Sequence, residues 1–175
     1  MPARDALAYP RSRQVLHWVS AALIIAMIPI GLIMARTLDD GLRLALYQVH
    51  LLAGWTIVAL MVTRVVLRFR RPVPAPDGLA PWNRALYRGV HWAVTLFPLA
   101  LAASGTFAIL QNDIGPLLQA GSPPPATLAV AQARDTHAIG AYLFMALLVV
   151  HVAGVVRYQA TRGDVLRRMG IGRAG

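Results

Sequence analysis

At 175 residues, 57% apolar and only 14% charged, the chain has the length of one domain and the composition of a membrane protein rather than a soluble globule. Its net charge of +10 is all arginine against aspartate, and because the arginines fall outside the apolar blocks, nucleic-acid binding is a poor reading of a pI near 11.5. With no cysteine, disulfides, iron–sulfur clusters and thiol catalysis are excluded, so any ligated cofactor must rest on His, Met or carboxylate.

Four apolar blocks follow in chain order, each long enough as a helix to cross a hydrocarbon core of about 30 Å. The first covers residues 15–35 and leads into further spans, so it reads as a span rather than a cleavable signal. The second covers 47–67, closed by Arg64 and Arg68, whose long stems can snorkel. The third is 89–110 and the fourth 137–157. Pro29 and Pro98 inside spans are tolerated because neighbouring helices satisfy the freed backbone groups. A proline-rich loop, RRPVPAPDGLAPWNR, joins the second and third spans. The longest connection joins the third and fourth and breaks at Ser122-Pro123-Pro124-Pro125; its TLAVAQAR portion reads as a short surface helix. Residues 1–175 thus form one domain, an all-α membrane protein built as a four-transmembrane-helix bundle.

Charge sets the orientation. The N-terminal tail carries Arg4, Arg11 and Arg13 against Asp5. The middle loop region carries Arg64, Arg68, Arg70, Arg71, Arg84 and Arg88 against Asp77, and the C-terminal tail Arg157, Arg162, Arg167, Arg168 and Arg173 against Asp164. The other two loops are neutral or slightly acidic: Arg36 and Arg43 face Asp39 and Asp40, and Arg134 faces Asp113 and Asp135. The positive-inside rule puts both termini and the middle loop in the cytoplasm.

All five histidines lie at span positions, where a polar side chain is expensive and marks function by default. His137 and His151 are fourteen residues apart, almost four helical turns, so they share one face about 21 Å apart along the axis. By depth, His50 and His137 share the outer leaflet, and His17, His91 and His151 the inner. A low-spin haem b takes two axial imidazoles facing each other across a gap between helices. His50 with His137 makes an outer site and His17 with His151 an inner one. Gly54, Gly140 and Gly154, three or four residues after three of these histidines, offer side-chain-free patches for a macrocycle, although small residues also let membrane helices pack closely. His91 stays open: it could replace His17, bond a propionate or quinone carbonyl, or cap a surface. Arg13, Arg64 and Arg68 on the inner side, and Arg36, Arg43 and Arg134 on the outer, are candidates for propionate or substrate contacts, against a plain topological role.

The string RSRQVLHW at the first span, HLLAG at the second, H-x13-H in the fourth, the TRVVLRFRRPVP exit and the closing DVLRRM resemble the bacterial cytochrome b561 family in order and spacing, over about residues 9–169. The resemblance implies two b haems ligated by His17, His50, His137 and His151, in the bacterial inner membrane. It also implies electron transfer between a periplasmic donor and the quinone pool. The chain's size is similar to that of short single-subunit members that oxidise superoxide and reduce ubiquinone. One departure stands out. Short members often carry further histidines just after the last ligand, where this chain has Arg157-Tyr158-Gln159, so quinone contacts there fall to Arg157 or Tyr158 as hydrogen-bond donors.

Three readings follow: a superoxide:ubiquinone oxidoreductase with no bond-making catalysis of its own, an electron conduit anchoring a periplasmic redox protein such as a hydrogenase or dehydrogenase, and a haem-free transporter using histidines as a proton relay. The outer loops lack net positive charge, which gives superoxide steering little support from sequence. Arg43 and Arg134 are the local exceptions.

Overall fold

The computed structural model describes residues 9–72, 79–162 and 165–171; Arg4, Asp5, Asp77, Asp164, Arg173 and most of the proline-rich stretch between the second and third spans lie outside the described residues. Four long helices follow the four apolar blocks: α1 (Arg11–Met34), α2 (Asp40–Arg70), α3 (Pro81–Gln111) and α5 (Ala131–Arg162), each long and apolar enough to span a bilayer. Two short pieces complete the set, α4 (Ile114–Gln119) and α6 (Val165–Arg168).

The long helices extend past the apolar blocks into polar ends, and α2 is the best capped of them. Asp39 caps α2, its Oδ1 accepting from Leu42 N at 2.6 Å, with Asp40 in the first turn and Arg68 and Arg70 in the last, matching the helix dipole. Pro81 opens α3, where a missing N–H costs nothing. Asp113 adopts a left-handed conformation (φ 50°) that ends α3 and turns the chain into α4. The surface helix expected in TLAVAQAR is not there. Thr127–Val130 is non-helical, and Ala131–Arg134 forms the first turn of α5, continuous with the span. Asn112 explains the boundary: its side chain accepts from Val130 N at 2.8 Å and so fixes the chain where α5 begins. The short helix sits upstream instead, at Ile114–Gln119.

The chain runs up and down, so both described ends lie on one face. There Tyr9 N donates to Arg168 O (3.1 Å) and Trp18 Nε1 to Met169 O (2.9 Å), tying α1 to α6. This is the terminal face; the α1–α2 and α3–α5 connections form the opposite face. Backbones pack α1 on α2, α2 on α3 and α3 on α5, while α5 has no comparable apposition to α1 or α2. What crosses those gaps is side chain, including the imidazoles. Outward-facing Ile25, Leu52, Phe107 and Val149 are more than half exposed, as lipid-facing residues are.

Gly140 sets the α3–α5 approach: a Cβ there would come within 2.9 Å of Leu101 Cδ2. Small residues permit this closeness where lipid leaves helix association to packing. Phe144, midway between His137 and His151 and 6% exposed, stacks on Phe97 of α3 with centroids 5.6 Å apart. We predict that Gly140→Leu lowers stability by about 1–3 kcal/mol. Gly89→Ala, which meets nothing within 4 Å, should leave it unchanged. Thermal unfolding of the detergent-solubilised protein reads both.

Candidate functional site

Two imidazole pairs stand at two depths. Near the opposite face, His50 of α2 and His137 of α5 have ring centroids 6.2 Å apart. Toward the terminal face, His17 of α1 and His151 of α5 are 6.4 Å apart. With metal–imidazole bonds of about 2 Å and ring centres about 1.15 Å further out, two trans imidazoles on one metal have centres roughly 6.3 Å apart. Both pairs match that spacing.

The surroundings fit a metal held in a macrocycle. Among the described residues, no three His, Asp or Glu side chains converge on a bare metal position. Two protein ligands suffice only where another group fills the remaining positions, as a porphyrin does. His137 Nδ1 donates to Leu101 O (3.0 Å) and contacts Ser104 Oγ (3.1 Å), which leaves Nε2 with its lone pair available. His50 keeps a buried Nδ1 with no hydrogen-bond partner, so the fold has not consumed this imidazole. Haem b fits these residues.

The glycines divide differently from the sequence expectation. Gly140 serves helix packing against Leu101. Gly154 meets nothing within 4 Å and Gly54 only Met27 Cε at 3.9 Å, so both leave open surface beside their histidines. Two glycines on neighbouring helices, unmarked in the sequence because no histidine is close to them in the chain, lie directly against the rings. A Cβ on Gly31 would stand 3.5 Å from His50 Cε1, and one on Gly105 would stand 3.1 Å from His137 Cε1 and Nδ1. Only the fold brings them there.

His91 joins the terminal-face pair. Its ring lies 5.2 Å from that of His151 and nearly perpendicular, its Nδ1 donates to Tyr87 O (2.7 Å), and the Tyr87 ring packs beside it at 4.1 Å. Its spacing to His151 falls short of the trans value that His17 meets.

The arginines take distinct roles. Arg13 donates to Leu67 O and Arg71 O, capping the end of α2. Arg68 lies over Trp92, 4.2 Å from its centroid. On the opposite face, Arg43 is 6% exposed and clamps the long connection: Nε donates to Pro124 O (2.6 Å) and NH2 pairs with Asp40. Arg36, Arg43, Arg134 and Tyr47 nevertheless line one cavity of about 60 Å³, with Tyr47 one turn before His50 and Arg134 one turn before His137. Arg134 also pairs with Asp135 at 2.8 Å. Arg157 is exposed and Tyr158 half-buried at the terminal end of α5.

A sequence profile described as prokaryotic cytochrome b561 matches residues 8–172. The chain belongs to the prokaryotic cytochrome b561 family. It is also 31% identical, over 162 residues, to cytochrome b561 homolog 2 of Escherichia coli (strain K12), covering 87% of this chain and 86% of that protein. Membership brings haem b binding and transmembrane electron transfer, and makes the chain a bacterial multi-pass redox protein. We predict that Gly105→Leu, which thrusts a branched side chain into the His137 ring, lowers the haem b bound per chain. Haem absorbance per mole of protein measures it.

Proposed function

We propose that the chain holds two haem b groups, one between His50 and His137 and one between His17 and His151, and carries electrons from superoxide to ubiquinone. The observation that carries this reading is the pair of ring spacings, 6.2 and 6.4 Å, at two depths along one face of α5. The arginine-rich terminal face is cytoplasmic by the positive-inside rule, and the opposite face periplasmic in the inner membrane. When bound, haem b supplies the one-electron chemistry; the fold positions and tunes it.

The chain's own groups do the rest. Leu101 O holds the His137 tautomer, Gly31 and Gly105 keep side chains clear of the imidazoles, and Gly54 and Gly154 leave open surface a turn along from theirs. Superoxide is a small anion. The loops have no net positive charge, yet Arg36, Arg43 and Arg134 converge on one cavity a turn from the outer histidines, which favours a small anionic donor. Two superoxide ions give two dioxygen molecules, and the two electrons with two cytoplasmic protons convert ubiquinone to ubiquinol. Arg157 and Tyr158, in the last two turns of α5, offer donors for a quinone carbonyl. A conduit for a periplasmic redox protein is the second reading, favoured by the pairing of Arg43 and Arg134 with aspartates, which offsets the positive charge of the cavity.

The test is the visible spectrum of the purified protein exposed to generated superoxide, with ubiquinone added afterwards. Reduced b-type bands that appear with superoxide and fade with quinone are expected. Bands that appear only with dithionite would shift the donor to a protein partner, and no bands at all would overturn the haem reading. Substitutions test the ligands separately. His50→Ala should remove only the outer haem and His151→Ala only the inner, whereas His91→Ala should retain both. Loss of a haem from His91→Ala but not from His17→Ala would reassign the inner ligand.

A further inference from the structure

Arg64 repeats on α2 the spacing that α5 uses for its histidines: it follows His50 by fourteen residues, as His151 follows His137. It therefore lies on the His50 face of α2, at the depth of the His17–His151 pair. Six residues, about 9 Å, separate it from the end of α2, so it sits deeper than Arg68 and Arg70.

Arg64 is half-buried, and among the described residues no hydrogen bond, ion pair or ring contact engages it. Arg13 and Arg68 are committed elsewhere, to carbonyls and to Trp92. Its electrostatic neighbours are His17, His91, His151 and Arg68. Near the opposite face, by contrast, no arginine acts on either His50 or His137. A guanidinium stays charged in any protein environment, and an unpaired one within a span is expensive. Anchoring to headgroups is served by the arginines nearer the helix end.

We propose that Arg64 is a potential-setting residue: its fixed charge favours the reduced state at the His17–His151 site over that at His50–His137, and so directs electrons toward the terminal face. Adding an electron to ferric iron removes one positive charge, which a nearby cation favours. The arginines near the other pair carry less weight, Arg43 and Arg134 being ion-paired with Asp40 and Asp135 and Arg36 exposed, so the two sites differ in the sense that makes transfer from the opposite face downhill. This rests on the two-haem reading above.

The test is a redox titration of the purified holoprotein followed by visible absorbance, with the inner centre assigned as the one that His151→Ala removes. Arg64→Gln should lower the inner potential alone, so that its reduced-to-oxidised ratio at a fixed poise falls roughly tenfold. Arg64→Lys, which keeps the charge, should leave it near the wild-type value. Unchanged potentials in Arg64→Gln, or an equal fall in Arg64→Lys, would overturn the proposal. Should Arg64→Gln lose the inner haem, Arg64→Lys decides: a retained potential supports the role of charge, and a lowered one overturns it. A wild-type protein with a single titrating centre would defeat the two-haem reading itself; two centres insensitive to Arg64 would defeat only this inference.

Discussion

α5 presents two imidazoles on one face, about 21 Å apart, and the arrangement of the bundle follows from what each must meet. A partner for each has to come from a different helix and at a different depth. The up-and-down course provides this: α1 and α2 run in opposite directions, and each places a histidine near its own start, so the two fall toward opposite faces. α5 must be held firmly without closing the gaps that those rings span. α3 does the holding, through the close approach at Gly140 and the Phe97–Phe144 stack, which also fills the layer between the two pairs.

Arginine is the only cationic residue type other than histidine in this chain, and it does several kinds of work. Arg13 satisfies carbonyls left open at the end of α2. Arg43 pins the long connection over the opposite face, and Arg68 packs its planar head on an indole. A guanidinium that has found carbonyls or a ring is structural. Arg64 has found neither, and it acts on His17, His91 and His151 together, whereas Arg68 acts on His91 alone among them.

Much of this was readable from sequence because it depends on local rules. Apolar length located the four spans, and helical period with depth grouped His50 with His137 in one leaflet and His17, His91 and His151 in the other, leaving the choice between His17 and His91 to the resemblance of RSRQVLHW. What escaped depends on neighbours distant in the chain. Gly31 and Gly105 touch imidazoles from other helices, and no sequence proximity marks them. Gly140 looked like a patch beside a ligand because it follows His137 by three residues, yet its missing side chain makes room for Leu101. Counting loop charges made the opposite face look unpromising for an anion, because a sum cannot show that Arg36, after α1, Arg43, in the first turn of α2, and Arg134, in the first turn of α5, line one cavity. The misplaced surface helix has a similar origin: Asn112, eighteen residues upstream, fixes where α5 begins.

The central claim is that two separate imidazole pairs each hold a haem. The stoichiometry of haem b per chain, measured as the pyridine complex against quantitative amino-acid analysis of the purified protein, tests it most directly. Two haems per chain in the wild type, falling to one in His50→Ala and to one in His151→Ala, is the predicted result. One haem in the wild type, or loss of both from either substitution, would contradict it.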